Sequence, residues 1–200
     1  MELFLNATSP YARMARIILL EKGLAGDVTL RWCDPWVDDP ALLAVNPAGR
    51  IPVLITHNGT ALSESLLIAM YLDAQYPNTP IIPDAQRGDV LHLAGLAQNL
   101  MDAAFTTVIA RKHYGPEIDQ SELGLRRQRA IQRLIKRLGE ELHENQLTES
   151  LTLGDIATAV ALDYLAFRLP EVDWQAACPP LQAWQVKVVR RESFQHTAFA

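Results

Sequence analysis

The apolar and polar positions divide the chain into a first part of short runs and a second part of long helical repeats. Glu2 to Leu5 is a brief strand candidate. After it, Ala15, Ile18 and Leu19, flanked by Met14 and Ile17, recur at the spacing of one helix face. Pro10 suits the first turn of that helix, where a missing N–H costs nothing, and Gly23 suits its stop. Val28 to Cys33 alternates as a second strand. Pro40 to Val45 is at most a short helix, and Asn46 to Gly49 reads as a turn. Val53 to Ile55 and Thr60 to Leu62 form a hairpin about Asn58-Gly59, a dipeptide suited to a turn with both central residues at positive φ. Leu66 to Tyr76 is a helix closed by Pro77.

The order strand, helix, strand, short helix, strand, strand, helix predicts a thioredoxin-like α/β domain with helices on both faces of a small mixed sheet. Asn78 to Asp84, with Pro80 and Pro83, reads as a linker. Beyond it no strand pattern appears. Helices are expected over Gln86 to His113 and Gln120 to Leu147, each with apolar residues at helical spacing. Arg126, Arg127, Arg129, Arg133, Lys136 and Arg137 give the second of these a basic side, read as a solvated face. Thr152-Leu-Gly-Asp155 is a capping box with Asp in the Glu/Gln position, and Leu151 and Ile156 are placed as its hydrophobic staple. The helix it opens, Ile156 to Phe167, is nearly uniformly apolar and belongs at the centre of a second, all-α domain, with Asp163 its one charged interruption. Pro179-Pro180 opens a last helix through Val189, with Trp184 facing inward. The expected domains are 1–77 and 87–200, joined by 78–86.

Composition narrows the function. Apolar residues make up 49% and charged residues 20% of the 200, a globular balance. A net charge of -5 argues against nonspecific nucleic-acid binding, which needs a basic surface. No apolar run approaches the roughly 20 residues that span a bilayer. The start, Met-Glu-Leu-Phe, lacks the pattern of a signal peptide. Cys33 and Cys178 lie far apart, outside any CxxC or metal-ligand pattern, so no metal and a reduced, cytoplasmic setting are expected. Cys33, at the end of a strand, is expected to be a buried, inert thiol.

Candidate chemistry gathers where the chain is least regular. Ile51-Pro52 at a strand start is a candidate cis peptide, which would turn the N–H and C=O of Ile51 outward. Ser63-Glu64-Ser65 opens a helix, and donors at a helix N-terminus favour a carboxylate. Free backbone groups beside such a terminus suit an extended, peptide-like, carboxylate-bearing ligand. The plainer reading is a hairpin whose edge Pro52 breaks, followed by a cap at Ser65.

Five segments, Ser9-Pro10-Tyr11, Asn46-Pro47-x-Gly49-Arg50-Ile51-Pro52-Val53-Leu54, Glu64-Ser65-x-x-Ile68, the Thr152-x-x-Asp155 box and the Pro-rich start of the last helix, together resemble a cytosolic glutathione S-transferase of bacterial type over essentially the whole chain. The resemblance implies a glutathione-binding thioredoxin-like domain, an all-helical domain, and a homodimer. It implies that Ile51, before Pro52, pairs its backbone with the cysteinyl part of glutathione, and that Glu64 and Ser65 hold the γ-glutamyl end. Arg50 would pair with the glycyl carboxylate, or stand as an exposed loop arginine. Ser9 is the candidate catalytic group: its hydroxyl would donate to the sulfur, lowering the pKa of a thiol otherwise mostly protonated at neutral pH. Ser9 equally suits a plain helix cap, Thr8 could take either role, and Tyr11 is read as packing or pocket wall. The electrophile pocket would come from the second domain, with Phe105, Ile109, His113 and Tyr114 as candidates. Asn99 or Asp102 of a partner subunit would reach the γ-glutamyl amine.

Ser9-Pro10-Tyr11-Ala12 stands where thioredoxins and glutaredoxins carry CxxC, so disulfide exchange at this site is not expected. The leading function is addition of the glutathione thiolate to a small electrophile. A non-catalytic binding or regulatory scaffold and a glutathione-dependent peroxidase or reductase remain as alternatives.

Overall fold

The computed structural model describes residues 1–142 and 150–199. Contacts separate the chain into two units, Met1–Ile82 with Glu192–Ala200, and Pro83–Arg191.

The first unit is built on a four-stranded sheet. Its elements in order are β1 (Glu2–Leu5), α1 (Pro10–Glu21), β2 (Thr29–Trp32), α2 (Pro40–Val45), β3 (Val53–Ile55), β4 (Ala61–Ser63) and α3 (Ser65–Gln75). The sheet order is β2-β1-β3-β4, with β1 parallel to β2 and antiparallel to β3, and β3 antiparallel to β4. This is the mixed sheet that the order of short runs predicts. Leu3 and Leu5 on the inner strand β1 are fully buried, whereas the edge strand β2 is largely exposed.

Helix α1 buries the face that the sequence marks, including Met14, Ile17, Ile18 and Leu19. It stops as Gly23 implies. Gly23 takes φ +70° while its N–H donates to Leu20 O and the Leu24 N–H to Leu19 O, a Schellman closure that a residue with a side chain would resist. Just before it, the Lys22 side chain is wholly buried. Its Nζ lies 2.9 Å from Asp73 Oδ1 and donates to the carbonyls of Tyr76 (3.1 Å) and Thr79 (2.8 Å). Asp73 also accepts from the Ile81 N–H at 2.8 Å, so one ion pair ties α1, α3 and the exit segment together.

The hairpin differs from expectation in its turn. Thr56 N–H donates to Thr60 O, so three residues form the loop, and of the Asn58-Gly59 pair only Gly59 takes positive φ (+83°). Asn58 instead uses its side chain, whose Oδ1 accepts from Thr56 Oγ1 and the Thr60 N–H. A single left-handed residue at the end of a three-residue loop closes the pair without the two-residue turn.

The second unit is helical throughout its described residues. It contains α4 (Arg87–Tyr114), α5 (Glu122–Glu141), α6 (Leu153–Arg168), α7 (Trp174–Ala177) and α8 (Pro179–Val188), with 3-10 turns at Asp84–Gln86 and Pro116–Gln120. Helix α5 starts two residues later than expected because Gln120 belongs to the preceding turn and Ser121 caps the helix, its Oγ accepting from Gly124 N–H at 3.1 Å. The expected extension over 143–147 lies outside the described residues. The basic side of α5 faces solvent at Arg126, Arg129 and Arg133. The capping box at Thr152 and Asp155 forms in both directions, and α6 buries most of its length. Asp163 meets Gln185 of α8, whose Nε2 donates to it at 2.7 Å and to Ala159 O at 2.9 Å. Trp184 packs inward.

The short helix α9 (Glu192–Gln195) returns to the first unit, where Phe194 and Thr197 are buried and packed beside α1.

Candidate functional site

Sheet register brings three separated segments to one place. Phe4 of β1 lies opposite Val53 of β3, which lies opposite Ser63 of β4. The chain leaving β1 toward Ser9, the chain entering β3 through Ile51-Pro52, and the chain leaving β4 toward Ser65 therefore share one end of the sheet. Ser9, Arg50, Ile51, Pro52, Glu64 and Ser65 all stand there, in the first unit.

Ser9 is half-buried and is the N-cap of α1. Its Oγ accepts from Ala12 N–H at 3.2 Å, and its own N–H donates to Asn6 Oδ1 at 2.8 Å. The capping reading of Ser9 is thus realised, but it uses only an acceptor lone pair. A serine hydroxyl keeps its proton when it accepts, so Ser9 can cap the helix and still donate to an anion before it. Asn6 also accepts from Thr8 N–H at 3.2 Å. Sequence reasoning passed over Asn6, although an Asn just beyond a strand is a frequent organiser of such turns.

The Ile51-Pro52 bond is cis. Among the described residues the amide and carbonyl of Ile51 enter no backbone hydrogen bond. The loop before it is held by Asn46, which is nearly buried; its Nδ2 donates to Arg50 O at 2.8 Å and its Oδ1 accepts from Ala48 N–H at 3.2 Å. The side chain of Asn46, beyond the turn its sequence marks, thus holds the loop that leads into Ile51-Pro52.

Glu64 takes φ +69°, a conformation that costs a residue with a side chain about 1–3 kcal/mol. It presents Ser65, only 2% exposed, as the first residue of α3. The Ile68 N–H donates to Glu64 O, so the amides of Ser65, Leu66 and Leu67 precede the intrahelical ladder and point out of the helix end. The Ser65 hydroxyl makes no hydrogen bond to another described residue. Arg50 Nη1 lies 3.6 Å from Glu64 Oε1, with the side chains 63% and 55% exposed. A surface pair of this kind holds by less than about 1 kcal/mol and yields readily to another anion.

Tyr11 is buried in the first turn of α1. Phe105, Ile109 and His113 belong to the second unit, four residues apart on α4, the first two half-buried and His113 exposed; Tyr114 is exposed at the helix end. Asn99 and Asp102 are exposed on the same helix, Asp102 accepting from Gln98 Nε2 at 3.2 Å. Cys33 is half-buried rather than fully buried, against Phe4, Leu42 and Val53. Burial, assisted by the nearby Asp39 carboxylate, pushes its thiol pKa up. Among the described residues no group of three or more His, Cys, Asp or Glu side chains converges as a metal site would, and no helix is long and apolar enough to cross a membrane.

A mixed sheet whose cis-proline loop and helix N-terminus meet at one end, followed by an all-helical unit, defines the glutathione S-transferase class, and the chain belongs to that family. Residues 3–80 match the family's N-terminal domain and residues 99–184 its C-terminal domain. An uncharacterized GST-like protein of Escherichia coli, YibF, is 34% identical, covering 98% of both chains. Glutathione S-transferase U25 of Arabidopsis thaliana is 31% identical over 92% of this chain and 82% of its own. A glutathione transferase family member from Pseudomonas fluorescens, solved with bound glutathione, is 33% identical, with a TM-score of 0.90 over 100% of this chain and 98% of that one.

Proposed function

We propose that this chain binds glutathione at the shared end of the first unit's sheet and activates its thiol for transfer to a small electrophile. The observation that carries the reading is the convergence there of three kinds of donor: the Ser9 hydroxyl, the unpaired backbone of Ile51, and the open N-terminus of α3 at Ser65. The related structure from Pseudomonas fluorescens holds glutathione, which supports the same ligand here.

In this reading Ile51 pairs its N–H and C=O with the cysteinyl backbone, as one strand pairs with another. The Ser65 amide and hydroxyl receive the γ-glutamyl carboxylate, helped by the positive end of the α3 dipole. Glu64 lies beside the γ-glutamyl amine, and Arg50 exchanges its surface partner for the glycyl carboxylate. Ser9 donates its O–H to the sulfur. A hydrogen bond to the charged form lowers the thiol pKa, so more thiolate is present at neutral pH. The sulfur forms the new bond to carbon as the leaving group departs with its electron pair, and the thiol proton passes to solvent. Phe105, Ile109 and His113 on α4 are proposed to meet the electrophile. The protein acts as a homodimer in a reduced compartment; exposed Leu67 and Met70 on α3 support a covered face, and a scattering mass of one chain would refute it.

Calorimetry with glutathione and conjugation of a chlorodinitrobenzene test the reading. The parent is expected to bind and conjugate. Ser9→Ala is expected to keep binding while losing roughly 10- to 100-fold in kcat/KM. No heat signal with millimolar glutathione would overturn the binding site, and parental rates in Ser9→Ala would remove Ser9 from the chemistry. Binding without conjugation of any electrophile would favour the scaffold.

A further inference from the structure

Nothing in the proposed chemistry uses Arg13, yet it is the most elaborately held side chain of α1. It is 5% exposed. Its Nε donates to Thr197 Oγ1 and its Nη2 to Phe194 O, both at 3.4 Å. Its guanidinium lies 5.6 Å from the Phe194 ring centre and 4.5 Å from that of Phe199, within the range of cation–π attraction. Thr197 Oγ1 in turn donates to Ser193 O at 2.8 Å, so the residue that receives Arg13 is itself fixed. Two further links run alongside: Ser193 Oγ donates to Glu21, and Arg16 Nη2 donates to His196 O at 3.4 Å.

The position of Arg13 on α1 gives these contacts a consequence. Its backbone N–H donates to Ser9 O at 3.0 Å, closing the first helical turn on the very residue whose hydroxyl caps it. One residue earlier, Ala12 N–H supplies the bond that orients Ser9 Oγ. A helix end ordinarily frays first, because its terminal groups have the fewest intrahelical partners. Here the first turn is anchored by a side chain held against two aromatic rings. Donor placement within a fraction of an ångström matters at a reacting atom.

We infer that the 192–199 segment is a strap on α1, and that Arg13 is a positioning residue which, through the strap, holds the Ser9 hydroxyl in its donating direction. The effect on the thiol rests on the proposed function; the effect on the helix end does not. The strap acts by restraint, so its loss loosens the Ser9 cap before it affects the sheet.

Two variants, Arg13→Gln and Phe199→Ala, are measured by two readouts. The first is amide hydrogen exchange of the ligand-free protein. Ala12 and Arg13 are expected to exchange about tenfold faster, while Leu3 and Leu54 in the sheet keep parental rates. The second is the ultraviolet thiolate absorbance of bound glutathione against pH, in which the thiol pKa rises by about half a unit while affinity changes less than about twofold. Parental exchange at Ala12 and Arg13 in both variants overturns the strap. Faster exchange with an unchanged thiol titration overturns the positioning role and leaves a purely structural clasp. If the parent does not bind glutathione, it is the proposed function that fails, and the exchange rates alone decide the strap. Phe199→Ala removes only a half-buried ring, so it carries the test if Arg13→Gln does not fold.

Discussion

Replacing Lys22 with Met should expose how much of the first unit depends on one buried charge. Lys22 Nζ sits 2.9 Å from Asp73 Oδ1 and spends its other two protons on the carbonyls of Tyr76 and Thr79. The side chain is 0% exposed and that of Asp73 12% exposed, so water cannot step in when the ammonium is removed. Met fills much of the same volume, which keeps the cavity term small and isolates the polar loss. Breaking a buried pair from one side costs about 3–5 kcal/mol, because the remaining charge is left uncompensated. Against a usual total of about 5–15 kcal/mol, that is a large fraction. At roughly 2–4 °C per kcal/mol for a chain of this size, the melting point should fall by about 10 °C. Thermal unfolding followed by far-ultraviolet dichroism measures the melting point, and urea unfolding the free energy. Asp73→Asn added to Lys22→Met should recover part of the loss, since the amide oxygen still accepts from Ile81 N–H and no charge is stranded. A loss below about 1 kcal/mol in the single variant, or no recovery in the double, would refute the reasoning.

Tyr164 is 2% exposed, and burial pushes its pKa up to about 12. Its neutral form is therefore favoured by the fold: stability is unaffected below about pH 10, where both states keep the proton, and falls between about 10 and 12 as only the unfolded chain ionises. Spectrophotometric titration should show one tyrosine ionising last, and alkaline denaturation should follow that window. A Cβ on Gly139 would stand 2.2 Å from Cys178 Sγ, so Gly139→Ala should destabilise by about 1–3 kcal/mol in urea unfolding. Cys178→Ala in the same chain should remove most of that penalty, and additive behaviour of the two changes would disprove the clash. Thr152→Ala removes the acceptor of Asp155 N–H and should cost about 1–2 kcal/mol in thermal unfolding, whereas Asp155→Glu should stay within about 0.5 kcal/mol.

Local signals carried most of the fold. Pro10 and Gly23 bracket α1, Pro40 opens α2, and Thr152 with Asp155 opens α6, each because the chemistry of a helix end is written in adjacent residues. The hairpin was found, but its turn was misread: Asn58-Gly59 suits two kinds of loop, and the choice is made by the Thr56–Thr60 pairing. The segments of the candidate site were visible as irregular stretches, whereas their meeting depends on the register Phe4–Val53–Ser63, a relation among three strands that no window of sequence contains. Asp163 shows the same limit. Its place on α6 was plain, but Gln185 as its partner lies 22 residues on and is polar like many others. Arg13 gave no signal at all, since an arginine on an amphipathic helix usually faces water.

The return of the 192–199 segment to α1 also sets a schedule for synthesis. Everything else in the first unit has been synthesised once Ile82 has been made, yet Arg13 meets Phe194, Thr197 and Phe199 only after the whole second unit has been translated. At the usual pace of elongation that delay is roughly ten seconds. During it the nascent first unit has all four strands and α1, α2 and α3 but lacks α9, so the apolar bed for Phe194 stands open. A fragment cut at the linker would remain permanently in that state, so dissecting the protein into its two units would yield an N-terminal piece with an exposed seam along α1.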